Sequence, residues 1–512
     1  MIQRTLLAAL LLASGTAGAA DDVYSPGGWP TLHHDAGNRR SVDVTLGGTT
    51  YTRHWNALQG ATVLTAPGFS PDGRSLYVTT GQAMGSSNLH AFSIDGTLLW
   101  QSAPWSSPDN GIDPCALLSS PIVDTAGDIY ISDCNQLFAL HASGKQKWTI
   151  PLPALAADDW AAAGDHPVNA FTTAAFTPDG QLLGVTNFGD VMLVSRETGA
   201  VLNEPYRLPA VSAPYANTVE LPDSLLSGGL MDEDFKEWAW QLIFGGSMRS
   251  ANTPAVASNG RIFVVGSSAT EGLGALFALD SVAAGDRLQI REAFTTEIGI
   301  GSGSSPALSP QEDRVYVSDE EGWLYSLDTD SGDIVWKLKT NAAAGAAGVA
   351  DDGAVYALQS SGASVIAVNP DGTVKWRSQT EVLTQSVPES WLFGEATASA
   401  NGNPTITKDA IVVPVMVGYR LPYVAAPLPV ASYLVALDID TGALQRVLTR
   451  LPDDSSGITA VLPDGTLVSS IGAVMTSALA PLKPLVDWLL PEDTQVLAVT
   501  GGIQITFPDS AD

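Results

Sequence analysis

The chain has 512 residues, 45% of them apolar, with 24 Lys and Arg against 54 Asp and Glu and a formal net charge of −30. That apolar content is ample for a large core. The charge excludes nucleic acid and anionic membrane surfaces as partners, because both are held by Lys and Arg neutralising phosphates.

The first predicted element is an export signal at residues 1–19. Arg4 supplies the positive start, residues 6–13 an apolar run, and Ala17-Gly18-Ala19 a small-residue cleavage site. The run is shorter than the ~20 residues that span a bilayer, so no membrane span is expected. No cysteine follows the cleavage site to carry a lipid. The mature protein, residues 20–512, is therefore expected to be acidic, soluble and either periplasmic or secreted, as a single domain and a monomer. Cys115 and Cys134 are the chain's two cysteines, and an isolated pair in an oxidising compartment usually forms a disulfide.

The next elements repeat. The clearest unit, SSPALSPQEDRVYVSDEEGWLYSLDTDSGDIVWKLK at 304–339, holds four β-rich runs separated by turns rich in Asp, Ser, Gly and Pro. Related segments end at Trp100, Trp148 and Trp376, and recur near residues 195–202, 276–288 and 434–448, with a weaker eighth from Ile458. A four-stranded antiparallel sheet buries both faces when such units stack around an axis. The expectation is an all-β fold: an eight-bladed β-propeller, with seven blades as the alternative, built of four-stranded antiparallel blades with short helical insertions. One helical insertion is expected in the last blade near 478–490, and another at 230–244, whose first turn is acidic.

The motif ending LYSLDTDSGDIVW at 324–336, echoed in LVALDIDTGALQ, resembles the tryptophan-docking repeat of the pyrroloquinoline-quinone (PQQ) propellers, the quinoprotein alcohol dehydrogenase-like family. The opening GGWPTLHHDAGNRRS at 27–41 is similar to the start of those proteins. The resemblance implies that the start of the chain, near 51–58, supplies the outer strand of the last blade. It implies a structural docking role for Trp100, Trp148, Trp336 and Trp376, and it makes PQQ and calcium possible cofactors. Family enzymes also use a disulfide between adjacent cysteines under the quinone ring; this chain has no Cys-Cys pair. Pairing about the turn at 124–127 puts residues summing to roughly 251 opposite each other, which brings Cys115 and Cys134 together as a staple instead.

Strand-one-to-two turns are tight, and strand-three-to-four turns mostly so, with 281–286 the longest. The long segments, 101–118, 151–171, 204–252, 379–404 and 418–432, fall between blades or between strands two and three. Both kinds of connection emerge on one face, where binding residues are expected. Ligand-binding candidates there are Trp105, Asp113, Trp160, Asp165, His166, Trp238, Trp240, Arg249, Trp391, Glu395 and Arg420. His33 and His34 read as a surface pair. The expected function is a non-catalytic scaffold binding a small molecule, saccharide or protein partner on this face; the alternative is a PQQ- and calcium-dependent oxidoreductase of alcohols or sugars.

Overall fold

The computed structural model describes residues 20–155, 169–209, 221, 223–250, 252–301, 303–341, 345–359, 364–420, 427–455 and 457–509, except for the stretch 245–249 and the side chains of 238 and 240–244. Eight antiparallel sheets, seven of four strands and one of five, are arranged as propeller blades. Their inner strands, which number the blades 1 to 8, are Gly68–Phe69, Ile122–Val123, Ala175–Phe176, Ala255–Val256, Ala307–Leu308, Gly348–Val349, Thr405–Ile406 and Thr459–Val461. Blade 8 closes as the resemblance implies: the early strand Arg53–Ala57 pairs with the late strand Gly502–Phe507, from Arg53 opposite Phe507 to Ala57 opposite Ile503.

Adjacent blades are joined by a recurring lock. The indole Nε1 of Trp100 donates to the Ala142 carbonyl in the next blade (2.9 Å), Trp148 to Arg196 (3.0 Å), Trp336 to Pro370 (2.9 Å) and Trp376 to Ile439 (2.9 Å). Each ring lies flat against the glycine of that blade's last turn. A Cβ on Gly442 would sit 2.4 Å from the Trp376 ring, and its φ of +71° already favours glycine. The turn before it is held by Asp438 Oδ1, which accepts from the amides of Asp440 and Thr441. Two further residues play the same part: Trp55 donates to Ile94 (3.0 Å), and Phe294 covers Gly332.

The segment after residue 20 crosses the short-turn end of the axis and is hydrogen-bonded to successive inner strands. Val123 N donates to Pro30 O (3.3 Å), Val256 N to Ala36 O (2.8 Å), Leu308 N to Gly37 O (2.8 Å), Val349 N to Arg39 O (2.8 Å) and Ile406 N to Arg40 O (2.9 Å). The opening motif is therefore a plug: Trp29 is wholly buried, and Asn38 Nδ2 donates to the carbonyls of Thr253 and Pro306. His33, expected at the surface, is buried within this plug.

Three expected loops differ. Residues 281–284 belong to strand Gly274–Ala284, which pairs with Arg287–Ile298 in a hairpin extending beyond the blade. Most of 418–432 likewise lies in strands Ala410–Arg420 and Pro427–Asp438, and 379–404 contains a 3-10 helix, Glu381–Ser386, and a fifth strand, Ala396–Ala400. The predicted last-blade insertion is helical, as Val474–Leu479 and Lys483–Leu489 joined by a 3-10 turn.

Candidate functional site

On the long-loop face a 3-10 helix, Pro114–Leu118, leads into blade 2, and Cys115 within it forms a disulfide with Cys134. The observed register of this hairpin pairs Ile122 with Tyr130, so opposite residues sum to 252, one more than the sequence predicts. Asp113 braces the bridge. Its Oδ1 accepts from the Cys115 amide (2.9 Å) and the Cys134 amide (3.1 Å), and its Oδ2 from Asn135 Nδ2 (3.0 Å). Burial, helped by the charge of Asp232, pushes the Asp113 carboxyl up to about 6 against those hydrogen bonds. Burial, then the neighbouring Asp113 charge, also raises Asp133.

Packed against this bridge is the helix predicted at 230–244, observed at Glu233–Phe244. Asp232 starts it by accepting from the Phe235 amide (2.9 Å). Phe235 and Ala239 are buried in one apolar cluster with Cys115, Leu117, Met231 and Phe188, and Leu64 and Val474 pack against it. These residues come from blades 2, 3 and 8 and the link into blade 1, so the helix is packed against several blades at once. Trp238 and Trp240 occupy positions on this helix. Trp160, Asp165, His166 and Arg249 lie outside the described residues.

The remaining candidates separate. Trp105 is buried, and its Nε1 donates to Gln82 O (3.0 Å), so it braces a loop. Trp391, in contrast, is 80% exposed. Glu395 is exposed just before the fifth strand, and Arg420 is exposed at the end of the blade 7 hairpin. Val387 and Pro388, a few residues before Trp391, line a cavity of about 510 Å³ with Tyr433, Arg450, Lys483 and the stretch 493–498. It is bordered through Val430 and Val496 by an apolar cluster that also holds Tyr419, Leu428 and Leu490, against which Phe393 and Val486 pack. The insertion helix beside it leaves Trp488 79%, Leu485 57% and Leu482 53% exposed. Sequence reasoning did not single these three out: their segment reads as an ordinary amphipathic helix, and which of its faces is covered depends on blade 7.

Also unforeseen is the pair Asp453 and Asp454 in the link to blade 8. Asp453 accepts from Thr476 Oγ1 (2.6 Å) and the Thr500 amide (2.6 Å), and Asp454 from the Met475 amide (2.6 Å), tying the insertion to the propeller. Burial, then the charge of Asp453, pushes Asp454 up to about 7.

Among the described residues, the one close group of three potential metal ligands is Asp113, Cys115 and Cys134. Both of its sulfurs are consumed by the disulfide, and its carboxylate is engaged by N–H donors. A bridge between residues 19 apart, with Cys115 fully buried, does not present the flat surface that an adjacent-cysteine disulfide would. The described donor set does not fit PQQ with calcium. Among the described residues no helix is long and apolar enough to cross a membrane.

Comparison with known proteins agrees with the repeat. A family profile described as outer membrane protein assembly factor BamB matches residues 281–479. The BamB of Bordetella pertussis is 30% identical over 92 residues, 18% of this chain and 24% of that protein, so the match spans about a quarter of the relative. Among solved structures, a europium-containing methanol dehydrogenase superposes with a TM-score of 0.59 at 12% identity, over 94% of this chain and 98% of that one. The quinohemoprotein alcohol dehydrogenase of Comamonas testosteroni gives 0.59 at 12% identity, over 96% of this chain and 82% of that one. At such identity these likenesses speak for the fold alone. With eight blades, the tryptophan locks and the closing early strand, the chain is an eight-bladed β-propeller whose repeat is similar to that of the PQQ-like propellers.

Proposed function

We propose that this is an exported, non-catalytic scaffold, periplasmic or secreted, that binds a protein partner through its long-loop face at blades 7 and 8. The carrying observation is the pair of exposed tryptophans, Trp391 and Trp488, on insertions of neighbouring blades whose adjacent residues, Phe393 beside the first and Val486 and Leu490 beside the second, pack in one apolar cluster that borders a cavity through Val430 and Val496. Single exposed apolar residues are ordinary. A group with two tryptophans beside a concavity is the composition of an interface anchor. A partner contact with basic groups around its apolar anchor would suit the chain's charge of −30. The partial match to an assembly factor is consistent with a scaffold role.

The other reading, a quinoprotein oxidoreductase, is supported by fold likeness, and the described residues do not supply its metal or stacking site. The deciding experiment is reconstitution of the purified mature protein with PQQ and Ca²⁺. The expected result is no quinone absorbance co-eluting with the protein and no dye reduction with alcohols or sugars. Retained quinone with turnover would overturn the proposal.

A further inference from the structure

The plug carries a charge that the mechanism of closure does not need. Along 38–41 its side chains alternate in exposure, with Asn38 and Arg40 in left-handed backbone: Arg39 and Ser41 line a cavity on the short-turn face, whereas Asn38 and Arg40 are buried. Arg40 has no exposed surface at all. Its Nη2 donates to the Ala346 carbonyl in the link to blade 6, and its Nε and Nη1 have no partner. Burial alone lowers its pKa, to about 9, with no contribution from a neighbouring carboxylate. It therefore remains a guanidinium at neutral pH, with two nitrogens, carrying three N–H bonds, unsatisfied.

Beside it is His33, whose backbone carbonyl accepts from the Arg40 amide (3.1 Å) and whose two ring nitrogens are both unpartnered and buried. Burial, then the charge of Arg40, holds His33 well below the usual histidine range. It is thus a neutral imidazole able to offer one N–H. The indole Nε1 of Trp29, on the same plug, is a third buried donor without a partner.

An isolated buried cation is costly, and retaining one normally requires a counter-charge with hydrogen bonds. In this core the donors are plentiful, and the nearby carboxylate, Asp35, is already taken up by the amide and side chain of Arg39. We propose that the axis of the propeller holds a small anion on Arg40 and His33, of the halide, inorganic oxyanion or short carboxylate class. Its role is to complete the plug from within. The site is separate from the partner surface at blades 7 and 8, and does not depend on that reading.

The test uses the full mature chain in two arms. Crystals grown with bromide as the small anion should show an anomalous peak within hydrogen-bonding distance of Arg40 and His33. In solution, the melting temperature should rise with the logarithm of bromide, phosphate or acetate concentration, as mass action requires. Ionic strength would be balanced by gluconate, which is too bulky for the site. The anion giving the steepest rise identifies the class. Arg40→Met should abolish both the peak and the rise. If that variant does not fold, His33→Leu, which keeps the guanidinium, should weaken both.

Ordered water alone around Arg40 would overturn the proposal. So would a crystal peak with no rise in solution, which is an adventitious ion only, or a rise equally steep in the variants.

Discussion

At the scale of single residues, the aromatic locks are what sequence reads best, because an aromatic at a fixed offset from a Gly turn survives any change in loop length. Trp55 and Phe294 escaped notice for definite reasons. Trp55 precedes its own blade by the whole length of the chain, and Phe294 keeps the contact while lacking the indole N–H. Replacing Trp336 by Ala removes its ring from Gly372 and its hydrogen bond to Pro370. The expected loss is about 3 kcal/mol in chemical denaturation, the usual scale for truncating a large packed aromatic. Asp453 and Asp454 were illegible, since only the packing of a helical insertion buries them. The folded-state pKa of Asp454, about 7, lies above the ordinary 3.8. The folded protein therefore holds a proton that the unfolded chain releases, and this contribution weakens stability as pH rises from about 4 to 7. Asp454→Asn keeps an oxygen for the Met475 amide and should flatten that fall, read as the difference in denaturation midpoint between mildly acid and neutral pH. An undiminished slope would mean that Asp454 ionises freely.

At the scale of elements, strand counts and turns followed from the repeat, while the lengths of two hairpins did not. Residues 418–432 read as a loop because Pro427 and Pro429 interrupt the β pattern. In the fold, a register shift between Val417 and Gly418 accommodates them: Pro429 faces Gly418 and Pro427 faces Arg420. The hairpin register was one residue off, yet the cysteine pairing held, because the ends of a hairpin have slack. The Cys115–Cys134 bridge closes a separation of 19 residues. Its removal by a double Ser substitution should cost about 3 kcal/mol and leave the far-ultraviolet β signature unchanged. Loss of the β signature would make the bridge essential to folding rather than a staple.

At the scale of the whole molecule, a ring of blades needs two closures, and both come from residues 20–57. The strand Arg53–Ala57 completes blade 8 in the plane of the ring, and the plug at 27–44 fastens the inner strands along the axis. The sequence showed the first through its resemblance, but read His33 and His34 as surface residues, because a polar stretch rich in Gly and Asn looks like a loop. Only closure of eight blades buries it. A chain beginning at Thr49 should keep its outer strand yet melt well below the full protein and less cooperatively. A melting curve identical to that of the full chain would show the plug to be an ornament.

The functional face was legible only as a face: the repeat located the long loops, but not which of their side chains remain uncovered. The central claim concerns those at blades 7 and 8, and a paired comparison tests it most directly. Full-length protein and a Trp391→Ala, Trp488→Ala double variant, both verified as folded by melting, would be used to capture partners from envelope extract under the same conditions. The account predicts a defined protein retained in stoichiometric amount by the parent and at least tenfold less by the variant. Equal retention by both would contradict it.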